Sequence, residues 1–269
     1  MIRRCWGPVL LAVLVVGVVA CSNPDAPINE DSPGPTVTLP SPGAAGGPTV
    51  SGSLTVYAPP ELTAVGTRLV RGFMKQNPQA DVNLVNEAPR LSMFRILGGA
   101  PGGVFISDAQ SISDFGAYDH NLPSSTRLAR EALVLAVPKG NPGGVKTVDD
   151  LGKPPGPDMI CTPPYMLAAS QSSPTDLTVP INEKAAADCG NTLVDEVAAK
   201  KLAGALVPGS FAGYLRGNRI DRIRVPLTGN LVVTYSAIPI EGSEVATGFI
   251  NFARSDAGKK MFEDSGYEA

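Results

Sequence analysis

From residue 53 onward the chain alternates short β-prone apolar runs with longer segments whose apolar residues recur at helical spacing, the pattern of sheets covered by helices. Ser53, Leu54, Thr55, Val56, Tyr57 and Ala58 read as a strand, stopped by Pro59 and Pro60. Over 62–76, Leu62, Val65, Leu69, Val70 and Phe73 fall on one face of a helix. Positions 80–85 predict a second strand, 91–97 a short helix and 103–107 a third strand. The stretch 131–138 reads as a continuous apolar run suited to a buried strand. Beyond it, 148–151 predicts a short helix and 158–161 a strand. Leu193, Val194, Val197 and Leu202 give 192–202 an apolar helical face, 231–240 returns as a strand, and 243–254 and 256–265 close the chain as helices.

The first 52 residues have a different pattern. Arg3 and Arg4 precede an apolar run over 9–20, which is shorter than the roughly 20 residues a membrane span needs and fits a secretory signal. Val18, Val19, Ala20 and Cys21 then resemble the bacterial lipobox, in which a small residue precedes a cysteine that receives diacylglycerol before cleavage. The resemblance implies a signal peptide over 1–20 and a lipid on Cys21 that holds the protein at the extracytoplasmic face of the cell membrane; an ordinary signal with an incidental cysteine is the alternative. Residues 21–52 carry Pro24, Pro27, Pro33, Pro35, Pro40, Pro42 and Pro48 among Gly, Ser, Thr and Asp, a composition that buries no core and makes a disordered tether.

The formal charge is −3, and −5 without Arg3 and Arg4, which argues against nucleic acid as a partner because clustered Lys and Arg must face phosphates. Of four cysteines, Cys161 and Cys189 remain after Cys5 and Cys21 are set aside. Outside the cytosol such a pair forms a disulfide, and closing a loop of about 29 residues contributes about 3 kcal/mol in the chain-entropy model. Two free buried thiols are the alternative. With His120 the single histidine, the pair cannot complete a zinc site, and no metal or cofactor is expected. His120 lies in a polar loop without a Gly-x-Ser-x-Gly elbow or a His-Glu-x-x-His helix, and the glycine-rich stretch 98–103 lacks the Gly-Lys-Ser/Thr of a phosphate loop. These patterns point away from an enzyme.

Several segments, taken in order, resemble the solute-binding proteins of ABC importers, and among them the molybdate-binding type. Leu54 to Ala58 is similar to the family's opening strand, and Gly103, Val104, Phe105, Ile106, Ser107 and Asp108 to a strand end. Leu133, Val134, Leu135, Ala136, Val137, Pro138, Lys139, Gly140, Asn141 and Pro142, with Val148, Asp149, Asp150 and Leu151 after them, resemble the first strand passing between lobes. Ala246, Phe249, Ile250, Phe252, Ser255, Asp256, Ala257, Gly258, Gly266 and Tyr267 resemble the terminal helices. The resemblance implies an α/β, two-lobed periplasmic-binding-protein-like (type II) fold, each lobe a mixed sheet flanked by helices, joined by two crossover segments. Lobe 1 would be 53–133 plus 236–269 and lobe 2 would be 134–235, closing like a hinge on a solute and presenting a surface to a permease.

Ligands in such sheets sit beyond the carboxyl ends of strands, and an oxyanion needs hydroxyl and N–H donors there. The family's two serines fall on Glu61 and near Pro89, and its tyrosine near Pro208, so its side-chain ligands are replaced. The residues left to hold a ligand are Glu61, Arg90, Ser107, Thr162, Tyr165 and Ser210. Arg90 can pair bidentately with a carboxylate, sulfonate or phosphate, or stay a solvated surface group. Glu61 can face a cationic or hydroxylated ligand or serve as a first-turn acid, Tyr165 can line the cleft or pack under the disulfide, and Ser107 and Ser210 can line it or cap turns. Two functions follow: a monomeric, membrane-tethered receptor delivering a small anionic solute to an ABC permease, or a relative that keeps the fold and works as an envelope sensor or interaction module.

Overall fold

The computed structural model describes residues 49–151, 159–170, 174–182, 186, 189–213 and 218–269. The signal segment, Cys21 and nearly all of the tether lie outside the described residues. The chain is already held at Val50, whose N–H donates to the side-chain oxygen of Asn77 at 3.0 Å.

Three strands open the body as parallel neighbours: β1 (Gly52–Ala58) lies between β2 (Ala80–Asn86) and β3 (Gly103–Asp108). The long β4 (Thr126–Pro138) and the late β7 (Val232–Pro239) are antiparallel to each other, and β7 is antiparallel to β3, giving the order β2-β1-β3-β7-β4. β4 serves two sheets. Its first half, up to Ala132 opposite Val232, pairs with β7; from Leu133 on it pairs with β5 (Ala205–Pro208) and β6 (Ile220–Arg224).

Alternation along β1 divides the first sheet's two faces. Leu54, Val56 and Ala58 join Phe73, Phe249 and Ala253 under α1 (Thr63–Gln76) and α6 (Glu244–Arg254), while Tyr57 joins Met93, Phe105 and Phe115 under α2 (Pro89–Leu97) and α3 (Ala109–Tyr118). In the second sheet, Val194 and Val197 of α5 (Cys189–Ala198) pack on Ala205, Val207 and Ile220 around the Cys161–Cys189 disulfide, whose Cα atoms are 5.6 Å apart. α4 (Pro164–Ala169) buries Met166, and α7 (Asp256–Asp264) buries Phe262. This is the α/β architecture the sequence resemblance implied.

Three expectations change. In place of a strand over 158–161 there is a single bridge from Ile160 to Leu206, with the Cys161 N–H donating to the Leu206 carbonyl at 2.8 Å; residues 152–158 lie outside the described set, and Pro163 and Pro164 supply no N–H to extend the pairing. The helix expected over 192–202 begins earlier, at Cys189, and ends at Ala198, before Lys200 takes a left-handed φ of 60°. β4 begins at Thr126, five residues before its apolar run, because Arg127 and Arg130 lie on a strand that is paired through its backbone to β7.

Candidate functional site

Glu131 is the last residue but one before β4 passes from the first sheet to the second, and it is fully buried. Its carboxylate accepts hydrogen bonds from three elements: the Ser210 N–H, in the turn after β5, reaches Oε1 at 3.2 Å, and the hydroxyls of Tyr165 on α4 and Tyr235 on β7 reach Oε2 at 3.1 and 3.4 Å. The Tyr235 hydroxyl also lies 3.3 Å from Oε1 of Glu61, in the 3-10 turn ahead of α1, and the Tyr267 hydroxyl donates to the Glu61 carbonyl at 2.9 Å.

Burial sets the protonation of this cluster. Removal from water pushes the Glu131 carboxyl up to about 7, with the negative charge of Glu61 adding to the rise and hydrogen bonds from Ser210 and Tyr165 opposing it. Burial also raises Glu61, and it raises the Tyr165, Tyr235 and Tyr267 hydroxyls, leaving all three as neutral donors. A single Tyr235 proton faces two carboxylates, so both contacts are satisfied together only when one carboxyl is protonated.

A second feature lies at α2 and α3. A groove of about 390 Å3 is lined by Pro89, Arg90, Met93, Ser111, Asp114, Ala117 and Tyr118. Arg90 is exposed at the start of α2, its guanidinium carbon 5.6 Å from the Phe94 ring centroid, and Phe94 meets Tyr118 edge-on at 6.0 Å. Met93 is buried, and Asp114 accepts a hydrogen bond from Gln110 at 2.8 Å. The groove pairs a cation with aromatic and thioether surface, a setting for an anion attached to an apolar body.

A family model for bacterial extracellular solute-binding proteins matches residues 54–268. The chain belongs to that family. Molybdate-binding protein ModA of Mycobacterium tuberculosis is 23% identical over 264 residues, covering 95% of this chain and 94% of the relative. Among solved structures, the substrate-binding domain of a proposed molybdenum ABC transporter from Clostridium difficile aligns with a TM-score of 0.59 at 18% identity, over 80% of this chain and 98% of that one. The periplasmic molybdate-binding protein of Azotobacter vinelandii gives 0.52 at 18%, over 80% and 99%. L-phospholactate-bound PEB3 gives 0.51 at 13%, over 80% and 99%. These structural likenesses describe the fold. No helix among the described residues is long and apolar enough to cross a membrane.

Within this solute-binding fold the residues singled out from sequence separate into four places. Glu61, Tyr165 and Ser210 converge on the cluster around Glu131 and Tyr235. Arg90 stands in the groove between α2 and α3. Ser107 is buried and donates to Oδ2 of Asp108 at 3.3 Å, while Asp108 caps α3 by accepting from the Ser111 N–H; Thr162 donates to the Asn182 carbonyl at 2.7 Å and accepts from the Asn182 N–H at 2.8 Å. Sequence reasoning passed over Glu131, Tyr235 and Tyr267. One signal was available: Glu131 is the single charged residue in the run 131–138.

Proposed function

We propose that the protein is the extracytoplasmic receptor of an ABC importer, a monomer tethered by a lipid on Cys21 and the chain over 21–52, and that it takes a small organic anion in place of molybdate. In this reading residues 53–133 with 236–269 form one lobe and 134–235 the other, and the solute-loaded form docks on a permease. The observation that carries the solute class is the groove between α2 and α3, where Arg90 offers a planar fork of donors beside Phe94, Tyr118 and Met93.

Its volume of about 390 Å3 lies within the usual 300–1,000 Å3 of small-molecule sites and leaves room for a body several atoms larger than a tetrahedral oxyanion. By resemblance the family's ligand serines fall on Glu61 and near Pro89, and its tyrosine near Pro208, which supports a solute other than molybdate. Recognition of L-phospholactate on a PEB3 scaffold of similar fold fits the same class. Asp114, which also lines the groove, would tolerate an ammonium on the solute, so zwitterions belong among the candidates.

The test is a thermal-shift screen of the exported protein with molybdate and sulfate, carboxylates, sulfonates, organic phosphates and zwitterions. A solute at a hundred times its dissociation constant adds about 2.7 kcal/mol of apparent stability. The reading expects organic anions to raise the melting temperature and molybdate not to; a shift with molybdate alone, or with no solute at all, overturns it.

A further inference from the structure

We infer that Glu131 is the resident occupant of an anion cradle, its carboxyl taking up donors that would otherwise receive a free carboxylate or oxyanion. The cradle consists of the Ser210 N–H and the hydroxyls of Tyr165 and Tyr235, donors from a turn, a helix and a strand that meet on the two oxygens of one carboxylate at 3.1 to 3.4 Å. Each of these donors is neutral, and among the described residues no cation pairs with Glu131: its carboxyl is held by hydroxyls and an amide in a buried site, as the neutral acid below about pH 7 and as a carboxylate above it.

The donors belong to elements that must be placed independently. Tyr165 stands at the first turn of α4, after a bridge to β5; Ser210 follows β5, and Tyr235 lies on the strand returning to the first sheet. A side chain wanted only for packing at this point would be apolar, since desolvating a carboxyl is unfavourable and a hydrocarbon would need no partners. Instead three donors converge, and the acid neighbours that face it, Glu61 and beyond it Asp108, disfavour a second free anion while Glu131 is in place. The inference does not depend on the groove at Arg90, and it accounts for an acid in the interior of a family member whose relatives are named for binding an anion.

Glu131→Ala tests it by removing the occupant and leaving the donors. The exported variant and the wild type are melted in sodium formate, sodium acetate and sodium chloride at equal ionic strength. The variant is expected to melt below the wild type in chloride and to regain several degrees in formate, saturably, with no matching gain by the wild type. Equal responses of the two proteins to formate, or a variant that treats formate as it treats chloride, overturn the inference. If Glu131→Ala does not fold in chloride, it is refolded from urea in each salt: recovery in formate alone supports the cradle, and failure in all three salts contradicts it.

Discussion

Gly209 and Gly266 touch backbone to backbone, so that a Cβ added to either would collide with the carbonyl oxygen of the other. Gly209 leads into the turn whose next N–H, that of Ser210, holds Glu131; Gly266 has a φ of 97° and is followed by Tyr267, whose hydroxyl binds the Glu61 carbonyl. This contact draws the turn after β5 and the end of α7 together and closes the buried cluster.

Gly209→Ala is therefore expected to destabilise by about 1–3 kcal/mol through overpacking against a backbone that cannot yield. Gly266→Ala meets the same collision and adds a left-handed φ, so it should cost more. Urea unfolding of both variants checks the order; a Gly209→Ala protein as stable as wild type would show that the contact is loose.

Glu131 gives the pH dependence its sign. Its folded carboxyl is raised from an ordinary 4.5 to about 7, so the folded state binds more protons than the unfolded state between those values. Stability due to the neutral form is fully present below 4.5 and is lost as pH rises through about 7, by an amount on the order of 3 kcal/mol. Glu61, raised by burial as well, adds to the slope in the same direction. Asp150, Asp221 and Asp264 are lowered, so their contributions are lost as pH falls below the ordinary aspartate range and do not overlap this window. Urea midpoints from pH 4.5 to 8 should fall for the wild type and flatten in Glu131→Gln.

The disulfide joins the start of α5 to the segment bridged to β5, and Cys161 is fully buried. Reduction of the wild-type protein should cost about 3 kcal/mol. Cys161→Ser should cost at least as much, because it also places a hydroxyl among Val194, Val197 and Val207. Adding reductant should lower the melting temperature of the wild type and leave Cys161→Ser where it was.

Much of the fold was legible because its strands and amphipathic helices carry their own apolar signals. The run at β1, the face of α1 and the terminal helices α6 and α7 needed only spacing to be read. What escaped was held by partners far away in sequence. α3 shows only Ile112 and Phe115 to the core and begins on the Asp108 cap; β6 has alternating exposed charges and is fixed by pairing with β4. The buried cluster was half legible. Glu61 was singled out because the family's first serine falls on it, and Tyr165 and Ser210 because they lie by turns that the resemblance puts at the cleft; Glu131 sits inside a strand, where its lone charge gains a role only once three distant donors are seen around it.

Arg90 is exposed, with its guanidinium over the Phe94 ring, so Arg90→Ala should change stability by less than about 1 kcal/mol. That separation of binding from folding makes calorimetric titration the most direct measure of solute recognition. With the organic anion that most raises the melting temperature, the wild type is predicted to bind one equivalent per chain, and Arg90→Ala to bind about ten- to a hundred-fold more weakly, the loss of a charge-assisted contact. Equal affinity in the two proteins would contradict the account.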